Sequence, residues 1–102
     1  MNEQKILSML GLATKAGKII TGEDACVNTI RSGKATLVLV ATDASENTKK
    51  KFNDKAAYYK VSLLSIFTKD QLAKATGKQN RATVVLTDEG FTKSIQKLIT
   101  DN

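Results

Sequence analysis

"ATLVLVAT", residues 35–42, is a run of eight aliphatic, β-branched or small side chains without a single charge. An apolar run of strand length that does not alternate with polar residues belongs in the middle of a sheet covered on both faces. The flanking chain supplies the cover. Upstream, a helix over about residues 22–32 places Cys26, Val27 and Ile30 on one face and stops at Gly33. Before it come a short extended piece, 18–21, and a helix over 3–16. That helix has Ile6, Met9, Leu10 and Ala13 at helical intervals and is closed by Gly17.

Downstream of Asp43, "SENTKKKFNDKAAYYK" predicts a helix whose inner stripe is Phe52, Ala56 and Tyr59. "VSLLSIF", 61–67, predicts a second buried strand. Thr68 and Gln71 have the spacing of a capping box, opening a short helix that ends at Gly77. "RATVVLT", 81–87, predicts the last long strand, and a closing helix carries Phe91, Ile95, Leu98 and Ile99 inward. Helices alternate with strands from end to end, which predicts an α/β layered domain with helices on both faces of a small sheet. No linker, repeat or low-complexity stretch divides residues 1–102, so one domain is expected. There is no proline, and the turns rest on Gly, Asn, Asp and Ser.

The apolar fraction of 41% and charged fraction of 25% are those of a globular chain. Cys26 is the only cysteine, so neither an intrachain disulfide nor a thiolate metal cluster can form. With no apolar segment suited to a secretion signal or a membrane span, a cytoplasmic protein without membrane contact is expected. Sixteen Lys and Arg against ten acids give a net charge of +6 and draw polyanions, nucleic acid above all.

Catalysis is not expected. The chain has no histidine, hence no Ser-His or Cys-His pair and no imidazole ligand. "GKIITGED", 17–24, has glycines but lacks both the Walker ending and a preceding buried strand. Cys26 falls on an apolar helical face, where a thiol is buried and inert. No cofactor, metal or small-molecule substrate is implied.

Positive charge collects in two places. Lys49, Lys50 and Lys51, with Lys55, form a run on the third helix that is either a solvated face or a contact surface. The other set is dispersed: Lys15 and Lys18 before "TGED" (21–24), Arg31 and Lys34 after its helix, Lys78 and Arg81 around the loop before the last strand. Thr21 and the two acids are typical of a helix start, with Thr21 as the cap. A helix beginning at Gly22 would offer free N–H groups to phosphate, with no side chain to hold it away. "GKQNRA", 77–82, could set Gln79 and Asn80 on base edges and Arg81 on phosphate.

Taken together, "KAGKIITGEDACVNTIRSGKATLVLVATD" and "LAKATGKQNRATVVL" resemble the kink-turn-binding ribosomal protein family, which includes large-subunit proteins seven-Ae and thirty-e, and most of all its bacterial YlxQ branch. The resemblance runs from about residue 5 to the C-terminus. It is carried by Lys15-x-Gly17-Lys18 followed by Gly22, by Gly33 opening "GKATLVLVA", and by Gly77-Lys78 with Arg81. It implies a three-layer α/β/α sandwich around a small mixed sheet of about four strands. It also implies binding, as a monomer, to a sharply bent helix–internal loop–helix in ribosomal or other structured RNA.

By position, the resemblance assigns RNA contact to Lys18, Gly22, Glu23, Asp24, Asn28 and Arg31, to Lys78, Gln79, Asn80, Arg81 and Ala82, and to Asp43 in a third, smaller loop; Lys15 joins them as a candidate from the basic cluster before "TGED". Where many members read Gly-x-Asn-Glu-x-x-Lys, this chain has Asp24, Ala25 and Asn28 at the last three named positions, leaving Glu23 as the carboxylate nearest the base-reading place. The alternative function is a protein–protein adaptor on the same fold, its lysine run at 49–51 meeting an acidic partner.

Overall fold

The computed structural model describes residues 2–78 and 81–100. The elements follow in the order α1 (Glu3–Lys15), β1 (Ile19–Thr21), α2 (Glu23–Arg31), β2 (Leu37–Val40), α3 (Glu46–Tyr58), β3 (Leu63–Leu64), α4 (Lys69–Thr76), β4 (Thr83–Leu86) and α5 (Glu89–Thr100). The four strands form one mixed sheet in the order β1-β4-β2-β3. β4 runs antiparallel to both its neighbours, and β2 and β3 are parallel. α2 and α3 pack on one face, and α1 packs with α4 and α5 on the other, giving the expected α/β/α sandwich.

The two central strands are the two uninterrupted apolar runs. Leu37–Val40 and Thr83–Leu86 are buried at every position, because each lies between two strands and two helical layers. Phe52 of α3, Ile30 of α2, and Ile6, Leu10, Leu72 and Ile95 from the other layer close over them without measurable exposure. Each such side chain contributes roughly 1.5–3 kcal/mol relative to leaving it in water.

The edges depart from the sequence reading. Residues 61–67 form not a long buried strand but the two half-buried residues Leu63 and Leu64, paired only with β2. Among the described residues no further strand lies beyond it, so β3 is an edge of the sheet. Tyr59 is not part of the inner stripe of α3: it is the C-cap, 36% exposed, and Thr48 is buried beside Phe52 and Ala56 instead. Thr48 is held at the first turn by Ser45, whose hydroxyl accepts from the Thr48 N–H at 3.2 Å. The capping box of α4 is present as read, with Thr68 and Gln71 each accepting from the other's backbone N–H.

Candidate nucleic-acid interface

Strand register decides which loops meet. Thr21 lies opposite Val84, and Val40 opposite Thr83, so the end of β1, the end of β2 and the start of β4 share one end of the sheet. Gly22, Asp43 and Arg81, remote in sequence, are thereby drawn to the same end.

The turn from β1 into α2 is made by Gly22, not by Thr21. Thr21 remains in the strand, and Gly22 takes the N-cap position with φ 95° and ψ 138°, a conformation that side chains disfavour. No side chain caps α2, so its first-turn N–H groups face outward unopposed, with Glu23 and Asp24 beside them. The Arg81 guanidinium stands over this turn: a Cβ on Gly22 would be 3.9 Å from Arg81 Nη1. Arg81 Nε is buried and finds no partner among the described residues. An N–H left so costs the fold about 1–3 kcal/mol.

Cys26 sits behind this turn, fully buried, its Sγ 3.5 Å from the Ile20 carbonyl oxygen. Burial pushes the thiol up to about 11, against the opposing pull of the Thr83 side chain and the Arg81 charge. It is the inert packing thiol expected from its place on the apolar face.

The lysine run divides its work. Lys49 pairs with Glu46 at 3.7 Å and Lys50 with Asp54 at 3.1 Å, both along α3 itself. Lys51 crosses to α2, where its Nζ donates to Glu23 Oε1 at 2.7 Å. Between the two helices runs a groove lined by Asp24, Val27, Asn28, Arg31, Lys51 and Lys55. Lys51 and Lys55 are thus neighbours of the candidate base-reading residues. Local spacing gave no sign of that, since 28 positions separate Lys51 from Glu23.

Asp43 is partly committed to the fold. Its Oδ1 accepts from the Lys69 N–H at 2.8 Å and joins the loop after β2 to the start of α4. It lines a cleft with Lys69, Asp70, Lys74 and Lys78, which brings Lys78 toward the Asp43 loop. Ala82 is half-buried, and its carbonyl accepts from the Ala41 N–H at 2.8 Å. Gln79 and Asn80 lie outside the described residues.

Lys15 and Lys18 stand elsewhere. The Lys18 carbonyl accepts from the Thr87 N–H at 3.0 Å, which places these lysines at the opposite end of the sheet from Gly22. Arg31 also points away from Gly22 in chain direction: it closes α2, nine residues and about 13 Å along the helix. The sequence-predicted set is therefore split, with Gly22, Glu23, Asp24, Asp43, Lys78 and Arg81 at one end, Lys15 and Lys18 at the other, and Asn28 and Arg31 along the groove. Among the described residues no three His, Cys, Asp or Glu side chains gather as metal ligands, and no helix is long and apolar enough to cross a membrane.

Known proteins resemble this chain in sequence and in fold. RNA-binding protein YlxQ of Enterococcus faecium is 45% identical over 98 residues, covering 96% of this chain and 94% of that protein. The protein of the same name from Bacillus subtilis strain 168 is 39% identical over 99 residues, covering 97% and 99%. A solved structure of a Bacillus halodurans protein of unknown function superposes with a TM-score of 0.90 at 36% identity, covering 95% of this chain and 98% of its own. The Giardia lamblia 15.5kD RNA binding protein superposes with a TM-score of 0.80 at 16% identity, covering 95% and 83%, a likeness of fold. Both of the bacterial relatives are named for RNA binding, and neither name carries an activity. Residues 4–96 match the family described as ribosomal protein L7Ae/L30e/S12e/Gadd45, and the chain belongs to it.

Proposed function

We propose that this protein binds kink-turn RNA, in ribosomal or other structured RNA of the cytoplasm, and stabilises the bend without chemistry. The observation that carries the reading is Arg81 standing over Gly22. It joins the uncapped start of α2 and the segment leading into β4 into one face, with a cation over the helix start. Phosphate oxygens fit the first-turn N–H groups and the guanidinium, and the missing side chain at Gly22 lets a backbone approach closely. Glu23, Asp24 and Asn28 present acceptors, and in Asn28 also donors, beside that anchor, where unstacked bases of an internal loop can be read on their edges. Glu23 accepts from guanine N–H groups in this reading, with Lys51 matching its charge. The RNA-binding relatives named YlxQ support the class of ligand.

Because only the kinked form matches this face, binding draws the RNA population toward the bend. About three to five phosphate contacts are expected, with a corresponding fall of affinity in rising salt. The test is titration against a standard kink-turn and against an unbent duplex of equal length. Equal affinity for the two would refute the kink-turn reading. An acidic protein partner at Lys49, Lys50 and Lys51 finds less support, since each of these lysines faces one of the chain's own carboxylates.

A further inference from the structure

Tyr58 closes α3 and Tyr59 caps it, and the two rings stand edge to face with centroids 4.8 Å apart at 75°. Tyr58 is 78% exposed and Tyr59 36%, leaving flat aromatic surface in water on a protein whose other large apolar side chains are almost all covered. Arg31 and Lys55 line the same hollow as the two rings. Lys60 follows directly, in the left-handed conformation at φ 58° that glycine ordinarily takes at a helix end. Among the described residues none of these three cations is in an ion pair. The carboxylate in the hollow, Asp54, already faces Lys50 at 3.1 Å.

The hollow continues the α2–α3 groove, since Arg31 and Lys55 line both. A strand leaving the Gly22 end has about 13 Å of helix to follow before it reaches the tyrosines. Exposed rings among unpaired cations, at the end of a groove that begins at a phosphate anchor, match the chemistry of single-stranded RNA. Bases stack on aromatic faces and phosphates take the charges. An acidic peptide would satisfy the cations but would gain nothing from this continuity.

We propose that Tyr58 and Tyr59 form a second RNA contact, a stacking platform for an unpaired base in a strand flanking the bent element, with Arg31, Lys55 and Lys60 on its phosphates. The direction of the strand rests on the kink-turn reading, and the platform adds a requirement of its own: an unpaired extension.

The chain has two tyrosines and no tryptophan, so its tyrosine emission reports on this platform alone. A kink-turn RNA with and without an unpaired extension of about eight nucleotides is titrated into the protein and into Tyr58→Ala, whose folding is checked by circular dichroism. The extension is expected to tighten binding to the unaltered protein about tenfold and to quench its emission. Tyr58→Ala should lose that gain while holding the bare kink-turn as before. An extension that adds less than twofold overturns the platform and leaves the kink-turn reading standing. If the bare kink-turn is bound no better than a duplex, an unstructured oligouridine decides: quenching supports the platform, and no quenching overturns it. A response to oligoglutamate but not to RNA also overturns it and gives the face to an acidic protein.

Discussion

Lys51 Nζ lies 2.7 Å from Glu23 Oε1, and this contact ties α3 to the first turn of α2 across 28 positions of sequence. Both side chains are half in water, 45% and 42% exposed, so the pair contributes little to stability, about 0.2–1 kcal/mol. Its larger effect is electrostatic: it matches a carboxylate in the first turn of α2, beside the proposed phosphate site.

Lys51→Met will therefore lower the free energy of unfolding by less than about 1 kcal/mol, yet weaken kink-turn binding by about three- to tenfold as Glu23 is left unmatched. Adding Glu23→Gln will restore part of the loss. Urea unfolding and fluorescence anisotropy measure the two quantities, and a double variant weaker than Lys51→Met alone would contradict the charge-matching role.

Gly22→Ala separates backbone from ligand. The space is open, since a Cβ meets only Arg81 Nη1 at 3.9 Å, so the strain comes from φ 95°. A loss of about 1–3 kcal/mol in stability is expected, and RNA affinity will fall further if, as proposed, a phosphate closes on the turn at Gly22, where the added methyl group stands beside Arg81 Nη1. Urea midpoints and binding at a temperature well below unfolding distinguish the two losses.

Arg81→Ala removes the guanidinium proposed to meet a phosphate, and the orphaned Nε with it. Affinity will drop and the slope of log affinity against log salt will shrink by about 1. Arg81→Lys will rescue little, because a point charge lacks the planar fork. Stability will change less than affinity, and a variant with an unaltered salt slope would place Arg81 outside the contact.

Cys26 sets a pH dependence. Its folded thiol titrates at about 11 against an ordinary 9.0, so the unfolded chain gives up its proton first as pH rises. The stability from the neutral buried thiol is complete below pH 9.0 and is lost as pH climbs toward 11, by about 2–3 kcal/mol in all. Unfolding free energies of the protein and of Cys26→Ala, compared across that window, isolate the effect from lysine titration. Parallel curves would show that the thiol does not contribute.

Lys60→Gly will stabilise the fold by about 0.5–1 kcal/mol, since glycine adopts the left-handed conformation at φ 58° without penalty. Chemical denaturation measures the gain. A loss instead would mean that the Lys60 side chain packs on the helix end.

Elements whose burial is symmetric were legible from sequence. "LVLV" read as a strand covered on both faces and "TVVL" as the last long strand, and the structure places both in the centre of the sheet. β3 was overestimated because "VSLLSIF" is apolar enough for a central strand, and nothing local reveals that only β2 pairs with it. Thr21 passed for a cap by residue type, although a strand pairing holds it. The site was legible as a set of residues but not as a shape. Antiparallel register sends Lys18 to one end of the sheet and Arg81 to the other, and the Lys51–Glu23 pair depends on two helices meeting, which no periodicity records.

The shortness of both sheet edges has a consequence for how the protein survives at high concentration. β1 offers three residues and β3 two, too little unpaired backbone to template a strand from another copy. The two central strands, whose apolar sequences could seed fibres, are locked side by side in the interior. Edge-to-edge pairing between folded copies is therefore disfavoured, and exposing the central strands to another copy requires the sandwich to open.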